Sequence, residues 1–357
     1  MGPPQEASRE RGRLRSRCTR WWPRLRALAP WVGALAVLLG LVLAVRPQRF
    51  AAAAERFDPV YAPVVAALCL AYYVLQGVRW RPLLRAVGSR LPLGDTVLLN
   101  LAGQSTGLLP GGEVTRAVLV SEVARVEIGA TIATITVEEF IYTVLIIAAA
   151  VPGALRHSFA AVGVVIALVG VVAITVILTV EVVFQRVLAI VNRVPIVGRY
   201  SPDIQEIHWD TVTLLRSRET VRWSLVSALQ ALITISMFWV VVRAIDPGQL
   251  SWPDAAFVYA VAHLAGAVSL LPGGLGGFEA AAVGMLVALG FPFGISVAAA
   301  LLQRAGDKGL GTVYGTVAYL VARRRYDLSH LKLVRHGQGK RREQRRSAPA
   351  GPAPRAA

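Results

Sequence analysis

Only two cysteines occur in this chain, Cys18 in an arginine-rich stretch and Cys69 in an apolar run. Two thiols so placed exclude a disulfide framework and a thiolate metal site. Acidic residues are scarce too, with 21 Asp and Glu against 38 Lys and Arg. The spacings that build chemistry are missing. No set of His, Cys, Asp and Glu has metal-ligand spacing, and no phosphate loop, nucleophile elbow or Ser/His/Asp constellation occurs. No catalytic residue, metal or cofactor is therefore assigned. Polar interruptions are lacking as well. A soluble domain breaks its apolar residues every few positions to make a wet face. Here 55% of 357 residues are hydrophobic, in blocks close to the ~20 needed to cross a ~30 Å hydrocarbon core.

What is present reads as an all-α, polytopic membrane protein in three parts. Residues 1–26 hold eight Arg and two Glu, and residues 323–357 hold eleven Lys and Arg against two acids. The formal net charge is +17, of which residues 27–322 carry only +2. Two basic tails around a nearly neutral apolar region place both termini in the cytoplasm, at the cell membrane, and suit attraction to anionic lipid. Arg-rich tails also occur on nucleic-acid binders, but neither tail carries an aromatic or folded module, so nucleic acid is not an expected partner. The basic leader and the small run Ala51 to Ala54 imitate a signal peptide; the spans that follow favour an uncleaved first anchor.

Hydropathy predicts full spans at about 27–45, 59–78, 130–151, 159–180, 223–242 and 294–321. Arg79, Arg81, Arg85 and Arg90 read as a cytoplasmic loop after the second span, with Trp80 at the headgroup border. Segment 182–222 reads as cytoplasmic, with short interfacial helices. Two further apolar stretches, 91–125 and 254–290, are broken at Pro110-Gly111-Gly112 and at Pro272-Gly273-Gly274-Leu275-Gly276-Gly277. Broken backbone at membrane depth needs protein or a wet cavity to satisfy it. These stretches are therefore broken or re-entrant hairpins, making eight apolar segments; whether they cross fully is open.

The two breaks resemble each other. Residues 101–112 read LAGQSTGLLPGG and residues 264–274 read LAGAVSLLPGG, each followed by a carboxylate, Glu113 or Glu279. The expected topology has them enter from opposite faces, an inverted repeat of the kind that places transporter sites at the midplane.

Ionisable residues in lipid are costly and call for partners or a cavity. Glu113 and Arg116 are three apart, so on a helix they share a face and could pair. The glycines before them would leave N–H groups at a helix start, suited either to an anionic headgroup or to capping by Glu113. Both alternatives hold equally for Glu279. Arg304, Asp307 and Lys308 lie in the last span, with Arg304 and Lys308 on one face and Asp307 in reach of Arg304. That net positive cluster reads as substrate-facing, Arg304 foremost. Glu138 and Glu139 open an apolar run beside Tyr142 and read as interfacial. His263 reads as a packing histidine.

These motifs resemble those of the membrane (flippase-like) domain family of lysylphosphatidylglycerol synthases, over about residues 30–322. Residues Pro272 to Glu279 are similar to its PxGGLGxxE signature. Leu109-Pro110-Gly111-Gly112-Glu113 with Arg116 is similar to its Pro-Gly-rich acidic motif ending in Arg, though shorter than some versions. Gln303-Arg304 matches a late Arg before a Gly-rich stretch. Glu138-Glu139 departs from the Glu-Arg that members often carry. The resemblance implies flippase-type activity. It implies no lysyl transfer, since only basic, Pro/Ala-containing residues follow the last span.

The expected function is therefore translocation of an anionic phospholipid or polyprenyl phosphate between leaflets, passive or ion-coupled. The alternative is a scaffold that recruits a membrane or cytoplasmic lipid-modifying or glycosyl-transferring enzyme. Single cysteines at Ser105 and Ser269 are expected to label from opposite faces of the membrane; labelling from one face would remove the inverted repeat.

Overall fold

The computed structural model describes residues 55–107, 112–157, 169–173, 175–177, 179–192, 201–248, 250–269 and 274–326, with backbone alone at 112, 113, 191, 201–203 and 206. The expected first span, both basic tails, and Pro110, Gly111, Pro272 and Gly273 lie outside the described residues. All regular structure among the described residues is helical.

A 3-10 turn, Pro59–Tyr61, opens the described chain; Asp58 caps it by accepting from Val60 N–H at 3.0 Å. Helix α1 (Ala62–Ala86) follows, then α2 (Leu93–Gly103), α3 (Gly112–Ala124) and α4 (Ile128–Ala154). Helices α5 (Glu181–Val191) and α6 (Ser201–Leu215) are short, as expected for 182–222. Helix α7 (Arg218–Ile245) is long and starts at a Ser217 cap. Helices α8 (Trp252–Val268) and α9 (Gly277–Ala288) form the second broken element. Helix α10 (Phe293–Arg304) continues through a π turn, Ala305–Gly309, into α11 (Leu310–Tyr326).

Among the described residues three helices are long and apolar enough to cross a membrane: Pro59–Ala86, Ile128–Ala154 and Arg218–Ile245. A fourth crossing exists if Val169–Ile177 and Glu181–Ile190, which meet at 93°, count as one. The eight-segment count is thus not reproduced. The hairpin arms are too short, between 11 and 17 residues, and the last helix carries Arg304, Asp307 and Lys308 within it.

Span two also needs correction. Helix α1 runs on to Ala86, so Arg79, Arg81 and Arg85 are helical. Trp80, expected among headgroups, is fully buried and donates its indole N–H to Thr134 Oγ1 at 2.7 Å.

Each LAG repeat ends one arm of a helical hairpin: α2 packs on α3, and α8 on α9. The Gly of each LAG faces the returning arm at close range. A methyl group at Gly103 would overlap Arg116, and one at Gly266 would press on Phe278 and Gly274. Small residues let membrane helices approach closely where no hydrophobic force drives them together. The same device joins α11 to the first hairpin, where Gly315 lies against the backbone of Gln104 and Ser105, and α4 to α8, where Gly153 abuts Pro253.

A core of α4, α7, α8, α9 and α10 side chains, centred on Ile146, Ile235, Phe238 and Leu286, holds the second hairpin. Another, of Trp80, Leu84, Leu99, Leu119 and Val137, holds the first. Overpacking costs ~1–3 kcal/mol, so Gly315→Ala should lower thermal stability in detergent by that order. Gly284→Ala, with open space around it, should not; equal melting temperatures for the two would refute the close-packing assignment.

Candidate functional site

The first hairpin returns through α3, which carries Arg116 one turn in from Gly112. Arg116 is fully buried and bonds neighbouring helices rather than water. Its Nη1 donates to Glu138 Oε2 at 3.0 Å and to Asn100 Oδ1 at 3.2 Å, and its Nη2 donates to Glu139 Oε1 at 3.3 Å. The guanidinium carbon lies 5.2 Å from the Trp80 ring centroid. Asn100 is oriented from behind, donating to the Tyr73 carbonyl at 2.9 Å and to Gln76 Oε1 at 3.2 Å.

Arg79 approaches the same carboxylate from α1. Its Nη1 donates to the Glu138 carbonyl at 3.1 Å and stands 4.0 Å from Oε1. Among the described residues, two arginines and two glutamates from three helices thus meet in one cluster.

This corrects the reading of Glu138, which is buried instead of interfacial, whereas Glu139 keeps a partly exposed side chain. Both sit well inside α4, and Glu138 is only 2% exposed. Arg116 has the α4 carboxylates as ion-pair partners, while the expected pairing with Glu113 falls outside what the structure describes. The Glu113 side chain lies outside the described residues, and Gly112 supplies the first residue of α3.

The second hairpin returns differently. Gly274 and Gly276 take positive φ, +68° and +83°, a region costly for residues with a Cβ. A Cβ at Gly277 would strike the Ala265 carbonyl and Ser269. This turn starts α9 with Glu279 in its first turn, fully buried. One carboxylate oxygen accepts from Gly276 N–H at 2.6 Å and caps the helix; the other accepts from Arg304 Nε at 2.6 Å. Glu279 is thereby both cap and ion-pair partner. Arg304 also lies over the Phe278 ring, 5.3 Å from its centroid.

Arg304 therefore pairs with Glu279. Asp307 accepts from the Tyr73 hydroxyl at 3.2 Å, and its backbone carbonyl lies 3.6 Å from Cys69 Sγ. Both contacts fall on the π turn, where the ordinary helical hydrogen-bond pattern is displaced. Lys308 shares that turn and, with Asp307 and Arg304, lies within electrostatic range of His263.

An aromatic series joins the two ion-pair sites. Tyr73 meets Tyr72 at 5.0 Å, Tyr72 meets Tyr142 at 5.9 Å, and Tyr142 meets His263 at 5.5 Å. His263 meets Tyr259 at 6.3 Å, which reaches Phe278 at 5.6 Å. His263 Nε2 is 3.2 Å from Thr143 Oγ1, in keeping with its reading as a packing residue. Glu139, His263, Arg304, Asp307 and Lys308 are all half-buried along this series.

Arg79 and Glu138 were missed by sequence reasoning. Arg79 looked like a loop charge because it follows a span of ordinary length. A signal was present: Cys69, Tyr73, Gln76 and Trp80 recur at three- and four-residue spacing, so the helical face of α1 runs past the expected end.

A model of the lysylphosphatidylglycerol synthase TM region matches residues 31–307, which span both hairpins, the α4 glutamates and Arg304. No curated protein matches the chain. Among the described residues, no group of three or more His, Cys, Asp or Glu is placed to hold a metal.

Removing one member of a buried ion cluster strands its partners, at roughly 3–5 kcal/mol, whereas an exposed pair is worth about 1 kcal/mol or less. Glu138→Ala should therefore unfold far more readily in denaturant than Glu219→Ala, which breaks an exposed contact with Arg222. Comparable losses would show that Glu138 does not hold the cluster.

Proposed function

Because this chain belongs to the lysylphosphatidylglycerol synthase TM region family, and is an integral membrane protein of helical type, we propose that it translocates an anionic lipid between leaflets of the cell membrane. The lipid is a phospholipid or a polyprenyl phosphate. The observation that carries this reading is the pair of buried ion-pair sites at the two hairpin returns, with half-buried Glu139, Arg304, Asp307 and Lys308 between them. Charge in an apolar bundle is expensive and marks ion or substrate pathways far more often than simple scaffolding.

Each site offers a phosphate a guanidinium already aimed by a carboxylate and an aromatic face. Arg matches a phosphate in planar, paired fashion and stays charged at any working pH. Glu279 holds Arg304 in place, and Lys308 adds a point charge on the π turn that follows. No glycine loop for a nucleotide occurs, so movement is downhill or coupled to an ion gradient.

Vesicles containing the protein and a fluorescent phosphatidylglycerol test the reading. Wild type should expose inner-leaflet label to an external quencher. Arg304→Ala and Glu279→Gln should slow this about tenfold or more, the factor that ~1.4 kcal/mol represents. Equal rates in empty vesicles and wild type would end the proposal. Loss of a co-purifying enzyme on deletion of 323–357 would then support the scaffold.

A further inference from the structure

The four members of the first cluster are not equally enclosed. Arg79, Arg116 and Glu138 are 0–2% exposed, but the Glu139 side chain is 42% exposed. Glu139 stands well inside a 27-residue apolar helix, where an exposed carboxylate is retained only against a cost. Glu139 Oε1 pairs with Arg116 Nη2 at 3.3 Å. The other arm of that guanidinium is held by Glu138 and Asn100. Arg116 therefore keeps a carboxylate and an amide when Glu139 lets go of Nη2.

Refining the site of the reading above, and resting on it, we infer that Arg116 and Glu139 form a proton-linked anion subsite: an anionic lipid headgroup takes Arg116 Nη2 as Glu139 takes up a proton. With Glu139 ionised, its carboxylate and that of Glu138 face Arg79 and Arg116. Protonating Glu139 makes the cluster more positive by one charge and releases a guanidinium arm on the side where Glu139 is exposed. A second observation points the same way. Arg79 is 1% exposed, lies within electrostatic range of Glu139, and has Nε and Nη2 without a hydrogen-bond partner among the described residues. Such donors suit the second oxygen of a phosphate.

Other groups around Glu139 are accounted for. Helix α1 brings Tyr72 as well as Arg79, α3 brings Arg116, and α4 itself brings Glu138 and Tyr142. Helix α8 brings His263 against Tyr142 and Tyr259 beyond it, with Asp307 and Lys308 on the π turn nearby. Helix α7 presents Thr234 to Tyr142, its charged residues lying near its ends. Helix α6 presents His208, which stacks on Phe184 of α5. Of these, His263 is the group whose ordinary titration falls near neutrality.

The sign follows from linkage. Binding that needs a protonated Glu139 is tightest at low pH and weakens as pH rises, by up to about tenfold per pH unit when one proton is linked. A phosphodiester keeps its single negative charge across this range, so the dependence belongs to the protein.

The test uses the full chain in phosphatidylcholine nanodiscs, with dihexanoyl phosphatidylglycerol as probe, from about pH 5 to about pH 9. Wild-type affinity should fall with pH, and binding should draw about one proton from buffer. Glu139→Gln should bind at the low-pH wild-type level throughout. Glu139→Asp and His263→Gln should keep the slope. A flat wild-type profile, a sloping Glu139→Gln, or a slope lost in His263→Gln overturns the inference. Should Glu139→Gln fail to fold, wild-type proton uptake still decides, and none overturns it. Translocation in vesicles without proton-linked binding sinks this inference alone; proton-linked binding without translocation sinks the transport reading alone.

Discussion

A guanidinium cannot shed its proton to escape a dry interior. Once Arg79 and Arg116 are turned inward between apolar helices, carboxylates must meet them there. That constraint organises the first half of the fold. It holds α1, α3 and α4 in one register, because a shift of any of the three leaves Glu138 or an arginine unmatched. It also explains Asn100, whose amide donates to α1 while its oxygen accepts from Arg116. In a low-dielectric bundle such networks are stiff: each bond is strengthened by its surroundings and each loss is severe.

The hairpins are the means of bringing those charges inward. A helix that crossed straight through would carry its residues past the middle, whereas a broken one can deliver a helix start to it. At the second break Gly274 and Gly276 supply positive φ, and Gly276 N–H is met by Glu279. The same carboxylate then holds Arg304, so the cap and the ion pair are one group. The LAG glycines let each returning arm approach within backbone distance, and Gly315 lets α11 rest on the turn of the first hairpin. Backbone geometry and electrostatics therefore depend on each other: neither return could be so close with a larger residue, and neither charge would be matched without the return.

The helical class, the two breaks, the LAG repeat, Arg116, Glu279 and Arg304 were legible because each has a local signature: an apolar block, a Pro-Gly run, a charge where charge is rare. Partner identity was not. Arg304 has Asp307 three residues away but bonds Glu279, twenty-five residues back, because the π turn carries Asp307 toward Tyr73 of α1 instead. The Arg116 side chain crosses to Glu138 of α4, 22 residues on, a partner that local spacing does not announce. Arg79 and Trp80 were misplaced by a rule about average span length, which fails where a helix outruns its apolar block because a neighbour buries the excess. The span count is not confirmed among the described residues, for the converse reason. Hydropathy scores blocks, whereas short paired arms and a charged last helix satisfy the interior by pairing rather than by apolar length.

The two returns carry opposite signs. The first arm brings a cation, Arg116, to fixed carboxylates, and the second brings a carboxylate, Glu279, to a fixed cation. Withdrawing either arm alone would separate opposite charges in a medium where their attraction is many times that in water. Intermediate positions are therefore the worst ones, and a bundle built this way has discrete arrangements instead of a continuum. A charged guest changes that balance only if it supplies what the departing arm removes. An anion can stand in for a carboxylate beside Arg116 or Arg304, while a neutral molecule can replace neither. On the transport reading proposed above, selectivity for charge and reluctance to move without a guest would have a common origin in how these arginines are buried.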